Sequence, residues 1–397
     1  MITIVKKLFR FLASYGMSCT LFILLLALTY FGTIHQVENG LYESQKKYFE
    51  SIFLIHWVFG WAPLPLPGGY LVLGLLFVNL VCGAVIRARK GWSHLGILIA
   101  HAGICLLMIG AFVTFEFSTS GHLTLYEKDR SNEFESPDEW EIGVAEINTA
   151  GPATEYLVRE PDFCRAGARR SQTFTFENVP FDMTISGYCR NATTRSVDRE
   201  GSPEGKVVDG YYLESLPPER EAEQNAPGAY VVLTEKSSAV AHDGILSGLA
   251  GRPYVVGVDG KQWQVNLRRR RWPLPFTVVL NKFTHELHPG TSMPKVFRSD
   301  VTVIQTKATG VAAESVQQDV QISMNEPLRL DGYTLYQSSW GPPDARPGDP
   351  LFSTFAVVKN PVEQYPLYAC VTVTFGLALH FAQKLLRYLR KESMNRP

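Results

Sequence analysis

The sequence has no Cys-x-x-Cys, which removes the usual thiol–disulfide relay. It has no Cys-x-x-Cys-His, so it does not look like a c-type cytochrome itself, and no structural zinc spacing. It has no charge of one sign to spare: 38 basic residues balance 38 acidic ones, so nothing supports nucleic-acid binding. Tryptophan is sparse and scattered, at seven residues, and no internal repeat is visible. Of the six cysteines, Cys19, Cys82, Cys105 and Cys370 fall in apolar runs and read as small buried apolar residues. Cys164 and Cys189 fall in the polar middle. Two thiols in an oxidising compartment most simply form one disulfide, and a redox role has no motif behind it.

What is present is a distinctive placement of apolar runs. Cys19–Ile34 (with Ser14–Ser18 leading in), Gly69–Ile86, Ser93–Phe117 and Pro366–Ala382 each approach the ~20 residues that cross about 30 Å of hydrocarbon as helix. The expected spans are about 17–36, 69–87, 93–117 and the run near the C-terminus. The first has a basic start but no small-residue cleavage site, and reads as an uncleaved span. Residues 1–117 then form a membrane region, 118–364 an extracytoplasmic domain, and 365–397 the fourth span and a cytoplasmic tail. Basic clusters flank these runs: Lys6, Lys7 and Arg10; Arg87, Arg89 and Lys90; Lys384, Arg387, Arg390 and Lys391. Four spans put all three on one side, which makes that side and both termini cytoplasmic.

From Gly121 the pattern alternates with period two. Strands are expected in His122–Glu127, Trp140–Ile147, Phe181–Tyr188, Ala229–Glu235, Phe276–Phe283, Ser299–Thr306, Asp319–Met324 and Gly332–Trp340. Many short strands rich in Val, Thr, Tyr and Phe argue for an antiparallel sandwich or barrel-like domain. Asp198–Gly205 and Leu216–Gly228, rich in Pro, Glu, Gly and Asn, read as exposed loops. The run Arg268–Arg271 could hold phosphates or haem propionates. The plainer reading, which we favour, is an edge strand whose charges discourage sheet-to-sheet aggregation.

Several segments resemble the ResB/CcsB family of System II cytochrome c biogenesis. They are SHLGILIAHAGICLLMIGAFVTF followed by GHLTLYEKD, LPFTVVLNKFTHELHPGTSMPKVFRSDVTV, NEPLRLDGYTLYQSSW, and VVKNPVEQYPLYACVTVTFGLALHFAQK entering the last run. The resemblance is weak through about Pro152–Pro253. It implies a bacterial inner-membrane protein and a tryptophan-rich CcsA/ResC-type partner. It also implies apocytochrome c as the client, with room for a thiol-reducing protein. Haem b would be held transiently and shared with the partner. No tryptophan cluster occurs here, so the chain resembles the ResB half alone, an accessory part of the haem lyase. Two other classes stay open: a cofactor-free membrane-anchored scaffold, and a b-type haem subunit of an electron-transfer complex.

Histidine is the residue type that carries the chemistry. His101 lies inside the third run, where a polar side chain is costly and functional by default. It matches the family's span-three histidine, which implies axial ligation of haem iron. Gly96, Ala100, Ala102 and Gly103 would let a planar macrocycle or a partner helix come close. The alternative is a histidine bonded to a neighbouring helix. His94, on nearly the same face, and His380, near the inner end of the fourth run, are candidate contacts to the same haem, with interfacial roles favoured. His35, just past the first run, and His56, opening HWVFGW, could serve an outer haem face. HWVFGW otherwise reads as an interfacial segment with aromatic anchors. His285 and His288 are expected to cap a turn, and His122 and His242 give no signal.

Overall fold

The structure is a computed structural model that describes residues 2–58, 60–84, 91–147, 154–167, 170–197, 205–287, 289–290, 294–309, 312–342, 346 and 349–394. The chain divides into a helical unit, residues 1–119 and 359–397, and a β unit, residues 120–358. Arg87, Arg89, Lys90, His288 and most of the Asp198–Gly205 loop lie outside the described residues.

The helical unit begins with α1 (Ile2–Leu12), a short helix that the apolar runs did not announce. Ser14 then starts α2 (Tyr15–Tyr48), its hydroxyl accepting from the Met17 amide at 3.1 Å. α3 covers Gly69–Cys82, α4 Leu95–Phe117, and α5 Tyr365–Met394. By length and composition α2, α4 and α5 are long and apolar enough to cross a membrane. The second expected span is the shorter helix α3. Between α2 and α3, the hairpin β1 (Phe53–Val58) and β2 (Ala62–Pro67) replaces the expected amphipathic segment. It still displays Phe53, Ile55, Trp57 and Trp61 to the outside.

Two helix pairs organise this unit. α4 meets α5 through small residues. A Cβ built on Gly96 would lie 2.5 Å from the Gly376 carbonyl oxygen, and one on Gly376 would lie 2.5 Å from the Ala100 nitrogen. α2 meets α3 through larger side chains, with Leu21, Leu28, Tyr48, Leu54 and Val72 in one buried cluster. Buried Asn79 ties this pair together. It donates to the carbonyls of Leu12 (2.5 Å) and Ser14 (3.2 Å) and accepts from the Ser18 hydroxyl at 2.7 Å.

The β unit runs through β3 (Thr119–Tyr126), β4 (Arg130–Glu146), β5 (Glu155–Arg159), β6 (Gln172–Thr175), β7 (Phe181–Cys189), β8 (Ala192–Ser196) and β9 (Tyr211–Ser215). It continues through β10 (Gly228–Glu235), β11 (Ala241–Ser247), β12 (Tyr254–Val258), β13 (Lys261–Leu287), β14 (Pro294–Thr309) and β15 (Ala312–Ser323). β16 (Leu328–Leu330), β17 (Tyr333–Gly341) and β18 (Phe352–Lys359) complete it. A ten-stranded sheet has the order β15-β14-β13-β4-β3-β18-β17-β16, with β12 and β5 joined to β13 and β4. A four-stranded sheet has the order β11-β10-β7-β6. Every strand expected from alternation falls on one of these, and the domain is antiparallel and β-rich.

The two longest strands serve two cores. Trp140–Val144 of β4 and Trp263–Leu267 of β13 enter one core with Phe181, Met183 and Val231. Phe134 and Leu274–Leu280 enter the other with Val301, Leu335 and Phe355. The β4–β13 register shifts between Arg269 and Arg271 and again between Pro273 and Val278, and bulges of this kind bend a ladder.

The arginine run sits at that bend. There β13 pairs with β4 alone, since β12 pairs it at Lys261–Val265 and β14 at Phe276–Leu287, so the run lies on a local edge as the favoured reading expects. Each arginine faces polar groups of β4 or its neighbours, which corrects the reading as a phosphate or propionate holder. Arg268 lies 2.6 Å from Glu155 and 3.1 Å from buried Glu141. Burial opposes the Arg268 charge, and those two carboxylates outweigh it. Arg269 donates to the carbonyls of Pro137 and Glu223 and lies over Trp140 at 4.2 Å. Arg270 pairs with Glu139 and lies over Trp272 at 3.6 Å. Arg271 is 3.6 Å from Glu135. Such pairing fixes strand register and leaves these guanidinium groups engaged within the fold.

Two other expectations divide: the Leu216–Gly228 loop is exposed at 217–221 and 223–224, as expected, while the expected Cys164–Cys189 disulfide is absent. The Leu216–Gly228 segment is anchored by two buried asparagines. Asn191 donates to Pro217 (2.8 Å) and accepts from Ala226 (3.3 Å), while Asn225 accepts from Glu219 (2.9 Å). Cys164 and Cys189 are free thiols, each bonded locally to a carbonyl, of Pro161 and Gly187.

Candidate functional site

α4 positions His101 by its helical phase. Gly96, Ala100 and Gly103 recur at helical spacing, and all three are buried against Ala369, Val373, Gly376 or His380 of α5. His101 follows Ala100 by one residue, about 100° round the helix. The small residues beside His101 therefore pack this chain's own last helix: of the two expected close approaches, a helix rather than a macrocycle takes that face. Ala102 is exposed on a further face. His101 itself is half-buried on a face shared with Ile104, Cys105, Met108 and Phe112, of which Ile104 and Phe112 are exposed.

The imidazole is held in a defined state. His101 Nδ1 lies 2.9 Å from the Ile97 carbonyl oxygen. A carbonyl can only accept, so Nδ1 carries the proton and Nε2 keeps its lone pair. No described residue bonds Nε2.

Of the other two inner candidates, His94 sits at the start of α4 and His380 midway along α5. His94 closes a short 3-10 turn and is the N-cap of α4. The His380 backbone lies against Gly96, and its Nδ1 is buried with no hydrogen-bond partner among the described residues. Gln383, one turn on, donates to the Trp92 carbonyl at 2.7 Å and leaves its own buried oxygen unpaired. Two orphaned polar atoms one turn apart on α5, beside the start of α4, are unusual and mark a place where a polar group would be welcome.

A second histidine cluster lies past the apolar run of α2. Gly40, at φ 78° and ψ 171°, is in a region only glycine enters readily, and it turns the helix back on itself. That fold returns Ser44 to His35 at 2.8 Å, and brings Tyr48 against Gly32. Tyr48, fully buried, reaches His56 Nδ1 of β1 at 2.6 Å. Phe31 stacks on the His56 ring at 4.3 Å. Burial, then the nearby Lys47 charge, hold the His56 pKa below its ordinary value. Ser44, Tyr48 and Asn79 were missed in the sequence; the one signal was Asn39-Gly40 interrupting a helical stretch.

In the β unit, His285 does not cap a turn. It stacks on Phe297 at 4.9 Å and packs against Trp340 at 4.3 Å. His242 pairs with Glu235 at 2.8 Å, and His122 Nδ1 is buried without a partner among the described residues. No group of three or more His, Cys, Asp or Glu that could hold a metal ion occurs among the described residues.

Comparison with known proteins agrees with the motifs. The profile of the ResB-like family matches residues 252–347, which cover β13, β14 and the Asn325–Trp340 motif. Protein NrfI of Wolinella succinogenes is 21% identical over 270 residues, 68% of this chain and 26% of that protein. The chain thus spans about a quarter of the length of this curated relative. These matches agree with the segments quoted above: the chain is similar to the ResB-like family over residues 252–347 and to NrfI over a longer stretch.

Proposed function

We propose that this chain is the ResB-like subunit of a cytochrome c haem-lyase complex in a bacterial inner membrane. In that reading it crosses four times, through α2, α3, α4 and α5, with both termini cytoplasmic and the β unit outside. Similarity to the ResB-like family and to NrfI supports a role in cytochrome c biogenesis. The observation that carries the finer reading is the open Nε2 of His101 on a half-exposed apolar helix face.

That arrangement fits a haem better than a bare ion. A porphyrin supplies four equatorial nitrogens, so the protein need add only axial donors. A bare ion would need several side chains together, and no such group occurs among the described residues. The Ile97 carbonyl fixes the His101 tautomer and ring direction, as outer-shell partners of ligating histidines commonly do. Ile104, Met108 and Phe112 would exclude water from one side of the macrocycle. His94 and His380 would contact the same haem from the inner end of the α4–α5 pair.

When bound, the haem supplies the vinyl groups to which the client's thiols add. This chain's residues, His101 first among them, would hold and orient it, together with a CcsA/ResC-type partner. The test is maturation of c-type cytochromes in cells carrying His101→Gly. Maturation should fall at least tenfold and recover with added imidazole. Unchanged maturation would point to a cofactor-free scaffold, and loss of a respiratory complex with normal cytochrome c would point to an electron-transfer subunit.

A further inference from the structure

Residues 51–68, between α2 and α3, contain no Asp, Glu, Lys or Arg. β1 and β2 pair so that Phe53 stands opposite Pro67, Ile55 opposite Pro65 and Trp57 opposite Pro63. Opposite residues of an antiparallel pair share a face. Phe53, Ile55, Trp57, Pro63 and Pro65 are exposed, with Trp61 of the connecting turn beside them, so this face is apolar. The other face turns inward, where Leu54 is buried among Leu21, Leu28, Tyr48 and Val72. A groove of about 510 Å³ runs along the hairpin, lined by Phe53, Leu54, Ile55, Pro65, Leu66 and Pro67, with no polar side chain to hold water.

The backbone suits that face. Gly68 donates to the Ile52 carbonyl at 2.7 Å, one step beyond the last strand pair. Donors alternate along a strand, so Leu66, Leu64 and Ala62 also point toward β1. Pro63, Pro65 and Pro67 then point toward the free edge of this two-stranded sheet. Proline has no N–H, so that edge presents no unpaired donor. Hydrocarbon cannot satisfy a donor, and here it meets none. The depth fits as well. Phe31 stacks on His56 at 4.3 Å, and Tyr48 and Phe49 meet Gly32. Both contacts lie at the end of the α2 apolar run, Cys19–Ile34.

We propose that the β1–β2 hairpin is a phospholipid-binding anchor, which lays Phe53, Ile55, Trp57 and Trp61 into the headgroup–acyl boundary beside the end of the α2 run. Tryptophan favours that boundary, where its ring stays apolar and its N–H reaches polar groups. An interface for a protein partner carries a polar rim, and residues 51–68 offer no charge to build one. The same lack of charge gives anionic headgroups no special attraction, so zwitterionic lipid serves as well. The anchor holds the hairpin, and with it the Tyr48–His56 contact, at one depth. This inference rests on the membrane crossing of α2 in the proposed function and is independent of haem.

The test uses the full chain carrying Trp92→Phe, reconstituted into phosphatidylcholine vesicles with lipids brominated near the headgroup or near the chain end. Trp92→Phe removes the exposed tryptophan before α4, leaving Trp57 and Trp61 in the hairpin and the others in the β unit. Shallow bromine should quench tryptophan emission about twofold more than deep bromine. Added salt or anionic lipid should change nothing, and Trp57→Phe with Trp61→Phe should remove most of the quenching. Ile55→Asp, which sets one charge on the exposed face, should lower shallow quenching by about half or more. No quenching at either depth, in a chain that stays with the vesicles through alkaline extraction, would overturn the anchor and leave the proposed function standing. That result would assign the face to a protein partner. Release of the chain by alkaline extraction would overturn both. If the double tryptophan variant does not fold, unchanged quenching in Ile55→Asp would count against the proposal.

Discussion

The two helix pairs of the helical unit solve the same problem with opposite means. α4 and α5 approach through Gly96, Ala100, Gly103, Ala369 and Gly376, so closely that backbone meets backbone. α2 and α3 keep larger side chains between them and add one polar tie, Asn79. Apolar burial gives helices in lipid little reason to associate, so close contact and internal hydrogen bonds must do it. The difference teaches how to read small residues near a functional histidine. The glycines of α4 are there for α5, and by filling one face they leave His101 on another.

Breaking the close pair should have the largest effect. Gly376→Val places a side chain 2.5 Å from the Ala100 nitrogen, with backbone that has nowhere to move. We expect a loss of about 3 kcal/mol or more and little folded protein, measured as thermal stability and yield in detergent. Gly74→Ala, whose Cβ meets nothing within 4 Å, should leave stability unchanged and serves as the control.

In the looser pair the costs should be smaller. Gly40→Ala forces alanine into a glycine-only conformation, at about 1–3 kcal/mol. It should also separate Ser44 and Tyr48 from the two histidines, seen as changed His35 and His56 ring signals in NMR. Asn79→Leu removes the tie to Leu12, Ser14 and Ser18 and should cost about 1–3 kcal/mol, read from the same thermal melts.

The smallest effect is that of pH on the hairpin. The folded pKa of His56 lies below its ordinary 6.5, so the unfolded chain binds the proton more readily. Its contribution is fully present above pH 6.5 and is lost as pH falls through the depressed value. Melting should therefore begin earlier at pH 5 than at pH 7.5, with Trp57 and Trp61 fluorescence as the reporter. A rise in stability on acidification would contradict the arrangement around Tyr48.

The sequence made the β unit legible because alternation is local: each strand announces its own two faces. It did not reveal that β4 and β13 cross two cores, since that depends on pairing residues more than a hundred positions apart. For the same reason the arginine run looked unpartnered, although the acidic Glu133–Glu141 stretch was in plain view. The apolar runs announced α2, α4 and α5, while α1 and the turn at Gly40 were silent. His101 stood out because imidazole in an apolar run is rare. His35 and His56 did not, because their meaning lies in Ser44 and Tyr48, which reach them only after the chain folds back.

The most direct measurement is the haem content of the complex assembled with the proposed tryptophan-rich partner, purified with His101 intact and as His101→Gly. The account predicts that the glycine variant loses the haem and its low-spin spectrum, and that imidazole restores both. A full haem complement with an unaltered spectrum in the variant would contradict it.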